Sequence, residues 1–263
     1  MQKYVTLLKL SWQNGLVYRT SVIMWRVRQF LGTLMALTVW LVIFQGNPTA
    51  FQYTKDSMIT YIFLVSFLQS LIISTALNGL ADRVYSGEIS NHLLKPLNLF
   101  GYFAIEEIAD KAKNIFFLIL ETIILFLIFK PMIVFPTTGV FLLFFVWSCF
   151  GVIINFFITL LFGAFGFWSP DTWGPRFLFF MILNFTAGKL FPLDILPTAL
   201  QKVLYATPFP YLSFVQIQLF LGRLNLEEIV SHFLLMLFWI GLLGSFVTWL
   251  WKKGLKNYES TGR

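Results

Sequence analysis

Charge is scarce in this chain, and so are the residues of redox and metal chemistry. Of its 263 residues only 12% are charged, one is cysteine and two are histidine. A soluble domain carries about 25% charged residues, so the shortage excludes an ordinary water-exposed surface over most of the length. The single Cys149 can form no intrachain disulfide, fits no thiolate metal pattern and reads as a small packing residue. No H-E-x-x-H zinc motif and no G-x-S-x-G nucleophile elbow occur. Neither His92 nor His232 has a carboxylate at the spacing of membrane acyltransferases. No G-x-x-x-x-G-K-S/T phosphate loop is present, so the chain should not hydrolyse a nucleotide itself. The net charge of +7 does not point to nucleic acid, because the basic residues sit beside apolar runs and form no basic domain of their own.

What is abundant is apolar sequence in long uncharged runs, 58% hydrophobic and 19% aromatic overall. That is how a polytopic membrane protein is written, since a helix needs about 20 apolar residues to cross a bilayer. The expected architecture is an all-α membrane protein with six transmembrane helices, in one domain covering 1–263. The spans are expected at about 21–44, 57–78, 108–129, 137–168, 173–190 and 230–251. No cleavable leader is evident, so the first apolar run should stay as an anchor. Arg26 and Arg28 lie in its opening turns, where long basic side chains can snorkel to head groups. The third span contains Glu121 and should extend backward as a helix through Ile108 and Ala112. The fifth is short enough to be re-entrant, but parity argues that it crosses.

Orientation follows from the basic residues. Lys3, Lys9 and Arg19 at one end, and Lys252, Lys253, Lys256 and Arg263 at the other, put both ends in the cytoplasm. With six crossings, Arg83, Lys95, Lys111, Lys113 and Arg176 also fall inside. Lys55, Lys130, Lys189, Lys202 and Arg223 fall outside, a minority of the basic residues, as the positive-inside rule requires.

Some segments do more than span. Residues 1–20 read as an amphipathic interface helix, with Tyr4, Leu8, Trp12 and Leu16 on one face and Gln2, Thr6, Lys9 and Gln13 on the other. In the cytoplasmic region 82–97, Tyr85, Ile89, Leu93 and Leu97 recur every four residues, Glu88 and Lys95 lie off that stripe, and Pro96 should end the helix. Such a stripe can lie on lipid, pack on the chain itself or fit a groove on a partner; spacing alone favours the first two.

Polar stripes occur in two spans. Ser66, Ser70, Ser74 and Asn78 recur in the second, which suits helix packing or a pathway equally. Ser148, Gly151, Asn155, Thr159, Gly163 and Gly166 recur in the fourth, where close packing is the better reading. Glu121 is a functional candidate because an intramembrane carboxylate is expensive, although a structural ion pair is slightly favoured. The outer segment 191–222 is apolar but broken by Pro192, Pro197, Pro208 and Pro210, which predicts two short helices in a re-entrant hairpin.

Taken together these features resemble ABC-2 type transporter permeases. The run Gly87-Glu88-Ile89, then Leu93-Leu94-Lys95-Pro96-Leu97, is similar to the G-x-I and L-L-R/K-P-L strings of one bacterial branch. Phe191-Pro192-Leu193, Leu196-Pro197, Pro208-Phe209, Tyr211 and Leu221-Gly222 are similar to that branch's outer segment, from which Asp194 departs. The resemblance implies a multi-pass subunit of the bacterial inner membrane that is not itself an enzyme and exports a substrate. It implies two copies of a separate ATPase subunit, which would hold ATP and magnesium while this chain binds no cofactor and no metal. It also implies a second permease chain, identical or related. The 82–97 region would be the coupling helix. Ser66, Ser70, Ser74 and Asn78, with Asn184, would line the pathway, and Pro192, Pro197, Pro208 and Phe209 would form an outer gate. A secondary carrier or channel using Glu121 is the competing reading, and a membrane enzyme using Glu121 or His232 ranks last.

Overall fold

The computed structural model describes residues 2–17, 19–46, 48–73, 76–94, 98–256 and 258. Helix α1 (Gln2–Val17) lies along the third long helix, and α2 (Arg19–Ile43) follows. A β-hairpin, β1 (Thr49–Ala50) with β2 (Tyr53–Thr54), comes next; it is the one departure from the all-α expectation among the described residues. Phe51 and Gln52 at its tip both have positive φ, 52° and 65°. That is the primed-turn backbone that matches strand twist, carried here without glycine or asparagine, which is why the sequence concealed it.

Helix α3 (Lys55–Ile72) begins with a capping box in which Thr54 and Ser57 bond each other's backbone amides. It stops six residues before the predicted end. Ile73 turns extended, and the Ile72 carbonyl instead accepts Lys111 Nζ and Asn155 Nδ2, each at 2.9 Å. Two short helices, α4 (Leu80–Tyr85) and α5 (Ile89–Leu93), then precede α6 (Leu99–Phe129). Asn98 caps α6 by accepting from the Gly101 amide, so that helix starts well ahead of the predicted span.

Helix α7 (Thr138–Ala164) continues as a 3-10 turn at Phe165–Phe167, and α8 (Trp173–Thr186) follows. The proline-broken segment 191–222 holds two short helices, α9 (Thr198–Tyr205) and α10 (Phe214–Phe220), with 3-10 turns at Leu193–Ile195 and Pro210–Leu212. Helix α11 (Leu226–Lys256) closes the fold against α7.

Among the described residues four stretches are long and apolar enough to cross a membrane: Val22–Ile43, Leu99–Phe129, Thr138–Phe167 and Leu226–Lys256. These are the first, third, fourth and sixth expected spans. At 1.5 Å per residue α3 is about 27 Å long and α8 about 21 Å. Helix α8 is therefore shorter than the predicted 173–190 span. It ends where Asn184 and Thr186 turn their side chains back onto the Phe180 and Ile182 carbonyls, and Gly188 takes a φ of 74°.

One core gathers α3, α7 and α10 around Met58, Leu68, Trp147 and Phe214; every residue of α10 is buried. A second, at the other end, gathers Leu80, Val84, Ile89, Phe103, Leu160 and Trp251. The glycine stripe of α7 serves this packing. A Cβ at Gly163 would strike Leu80, and one at Gly166 would strike the Ala81 carbonyl. Cys149 is exposed on α7 rather than packed, and Leu8 of α1 is also exposed.

Candidate functional site

Helices α2, α3 and α8 enclose a groove of about 500 Å³. Ser66, Ser70 and Asn184 all line it, so three of the five residues expected on a pathway come together. Asn78 does not: it is exposed on an adjoining cavity of about 240 Å³, beside Asn155, Thr159 and Arg176. Ser74 lies outside the described residues.

The wall that α2 supplies was not anticipated. Arg26, Gln29, Thr33, Ala36 and Trp40 face the groove at helical spacing, a stripe visible in the sequence once Arg26 is not assigned to head groups. Arg26 is in fact 7% exposed and points inward. Its Nη2 donates to Asn114 Oδ1 at 2.5 Å, and its Nη1 lies 3.4 Å from Ser70 Oγ and 3.6 Å from Glu121 Oε1. Thr33 donates to its own helix at Gln29 O and sits 3.4 Å from Ser66 Oγ. Arg28 and Lys189 also line the groove.

Glu121 is thus half of an ion pair with α2, and the buried charges before it on α6 are paired too. Lys111 meets Glu107 at 2.7 Å and Lys113 meets Asp110 at 3.1 Å. Asn114 Nδ2 links the series by donating to Asp110 at 3.2 Å. An unpaired charge buried here would cost several kcal/mol.

The 82–97 region differs from the single helix that its spacing suggested. Gly87 takes a φ of 83°, which bars a continuous helix and breaks the stripe into α4 and α5. Ile89 therefore does not face outward; it is fully buried, and Tyr85 is half-buried. The outward face carries Glu88, Asn91 and Leu94, the last 86% exposed. Leu93 ends α5, and Lys95, Pro96 and Leu97 lie outside the described residues.

This tip is firmly held. Arg83 forms a two-pronged pair with Glu106 of α6 at 3.0 and 3.2 Å, and Tyr102 donates to the same carboxylate at 2.8 Å. Burial alone would lower the Arg83 pKa, but these bonds and the Glu106 charge outweigh it and hold it above its ordinary value. Beyond α11, Tyr258 donates to the Val84 carbonyl at 2.7 Å, and within α11 Trp251 Nε1 donates to Leu160 O at 2.9 Å.

At the opposite end Asp194 is a hub, a role its position in an apolar hairpin did not reveal. Its Oδ2 accepts Tyr53 Oη at 2.8 Å and Gln218 Nε2 at 3.1 Å, and pairs with Arg223 at 3.1 Å. Arg223 also stacks 3.9 Å over the Tyr53 ring. Burial, then the Asp194 charge, push the Tyr53 hydroxyl well above the usual range. Pro192 and Pro208 are buried, Pro197 is exposed before α9, and Phe209 packs on Phe179 of α8 with ring centres 5.6 Å apart. Tyr211 Oη lies 3.3 Å from His232 Nδ1 and donates to Tyr205 O, an arrangement that fastens the hairpin to α11.

Long apolar helices around a polar-lined groove, with a braced tip at one end, define a multi-pass membrane transport subunit. The chain matches a model described as "ABC-2 family transporter protein" over residues 30–262, and it belongs to that family. It is accordingly a permease component of an ABC transporter, a system that includes an ATPase partner. No curated protein matches the chain.

Proposed function

We propose that this chain is the membrane half of an ATP-driven exporter, crossing the bacterial inner membrane six times with both ends in the cytoplasm. Helices α3 and α8 are the two shorter crossings, and the α9–α10 hairpin completes the outer half of the path below which α8 stops. Two such chains, identical or related, face each other across the α2–α3–α8 groove. Two copies of an ATPase chain carry ATP and magnesium and sit beneath the α4–α5 tip. Closing of the ATPase dimer on ATP moves that tip, and the groove passes its cargo outward. Ser66, Ser70 and Asn184 are the polar contacts on the way, and Pro192, Pro197, Pro208 and Phe209 lie at the outer gate.

The observation that carries this reading is the α4–α5 tip. Its inner face is buried in the chain's own core through Val84 and Ile89, and its outer face carries Leu94, 86% exposed among the described residues. A large apolar side chain so exposed at the end of a braced element suits a groove on a soluble partner. The ion pair with Arg26 supports a structural role for Glu121 over a carrier site.

The test is co-purification with a candidate ATPase subunit. Leu94→Asp is expected to weaken the complex about tenfold or more while leaving membrane insertion intact, since a buried anchor contributes 2 kcal/mol or so. Undiminished association of Leu94→Asp would count against the tip as the contact.

A further inference from the structure

The groove between α2, α3 and α8 is one-sided in charge. Arg26, Arg28 and Lys189 line it, and among the described residues no aspartate or glutamate does. Arg26 is accounted for by Glu121. Arg28 and Lys189 have no ion-pair partner among the described residues; the Arg28 guanidinium lies 5.0 Å from the centre of the Trp25 ring, and Lys189 Nζ lies 5.8 Å from that of Phe180. Lys189 follows α8 in the chain, yet its ammonium reaches back to the middle of that helix and into the cavity. Two cations held against aromatic faces in a mainly apolar cleft form a site suited to an anion.

The rest of the lining tells what the anion is attached to. Trp40, Phe185 and Phe191 make the wall apolar away from the cations, and about 500 Å³ is within the range of small-molecule sites, about 300–1,000 Å³. A free inorganic anion would leave that wall uncovered. We infer that the groove binds an amphipathic anion, a lipid with a phosphate head group, with its head between Arg28 and Lys189 and its chain along the aromatic wall. This deepens the exporter reading and rests on it for the further step that such a lipid is cargo.

The probe is a fluorescent phosphatidic acid, compared with the matching diacylglycerol, binding to the purified full-length chain in neutral detergent. The phosphatidic acid is expected to bind about tenfold more tightly, as charged hydrogen bonds of about 1.5–3 kcal/mol require. Arg28→Gln with Lys189→Gln should abolish that preference, and Arg28→Lys should retain most of it, which separates lost charge from lost folding. An excess of inorganic phosphate should not displace the lipid. Equal binding of the two lipids, an unaltered preference in the double variant, or displacement by inorganic phosphate would each overturn the proposal. Binding is read without the ATPase, so the two readings fail separately. Lost co-purification with an intact lipid preference removes the exporter and leaves the site, whereas intact co-purification without any preference removes the site alone.

Discussion

Arg26 and Glu121 set the energetics of the membrane region at the residue scale. Both side chains are nearly buried, at 8% and 13% exposure, so removing one charge strands the other. Glu121→Gln is expected to destabilise the chain by about 3 kcal/mol, and Arg26→Gln with Glu121→Gln by less than the two single changes combined. Thermal unfolding of the four forms in detergent checks this, and strict additivity would mean that the pair is not coupled. A second expectation concerns alkali. Burial first, then the charges of Asp194 and Glu228, push Tyr205 from 10.0 up to about 12. A phenol more basic in the folded chain contributes stability in full below pH 10 and loses it as pH rises to about 12. Stability should fall across that window, and Tyr205→Phe should flatten the fall. The chemistry of these residues was partly legible. Glu121 stood out because a carboxylate in an apolar run is rare, but its partner lies 95 positions earlier, and no local spacing reveals a pair of that range. Asp194 was visible as a departure and could be understood only when Tyr53, Gln218 and Arg223 were brought around it.

Among the elements, the long runs were the easiest to read and the short ones the hardest. The four helices that satisfy a membrane by length and composition fell at their expected places, because apolar periodicity over more than twenty residues leaves few alternatives. The ends of α3 and α8 were missed because distant side chains and a left-handed glycine decide them. Gly87 turns the backbone between Tyr85 and Ile89, so the stripe that recurs every four residues is not carried on one helix. Replacing Gly87 by alanine is expected to cost about 1–2 kcal/mol, since a side chain at positive φ is strained. It should also reorient α5, read as weaker capture of the ATPase. Gly166→Val is the sharper probe. It would drive a side chain into the Ala81 carbonyl and lift α4 off α7, so the chain should insert normally yet fail to couple ATP hydrolysis to transport. Normal coupling in that variant would show that the α4–α7 contact transmits nothing.

For the whole molecule the expectation is that the chain cannot work by itself. Reconstituted alone in vesicles it should give no flux under a proton gradient. With the ATPase and ATP it should export, and Glu121→Gln should leave ATP hydrolysis in place. Flux driven by the gradient alone would restore the carrier reading. The two buried clusters lie in different parts of the fold: one surrounds α10 and the 3-10 turns beside it, and the other packs α6, α7 and α11 against the α4–α5 tip.

Within the first of those clusters, Ile72 offers one backbone oxygen to two other helices. The Ile72 carbonyl takes one bond from α6 through Lys111 and one from α7 through Asn155. It works like a pin through three plates: none of the three helices can slide past the others at that level without breaking a bond. In the proposed exporter, displacement arriving from the tip is therefore expected to become rotation about the pin. A swivel of the groove wall, more than a stroke along it, is the motion this joint permits.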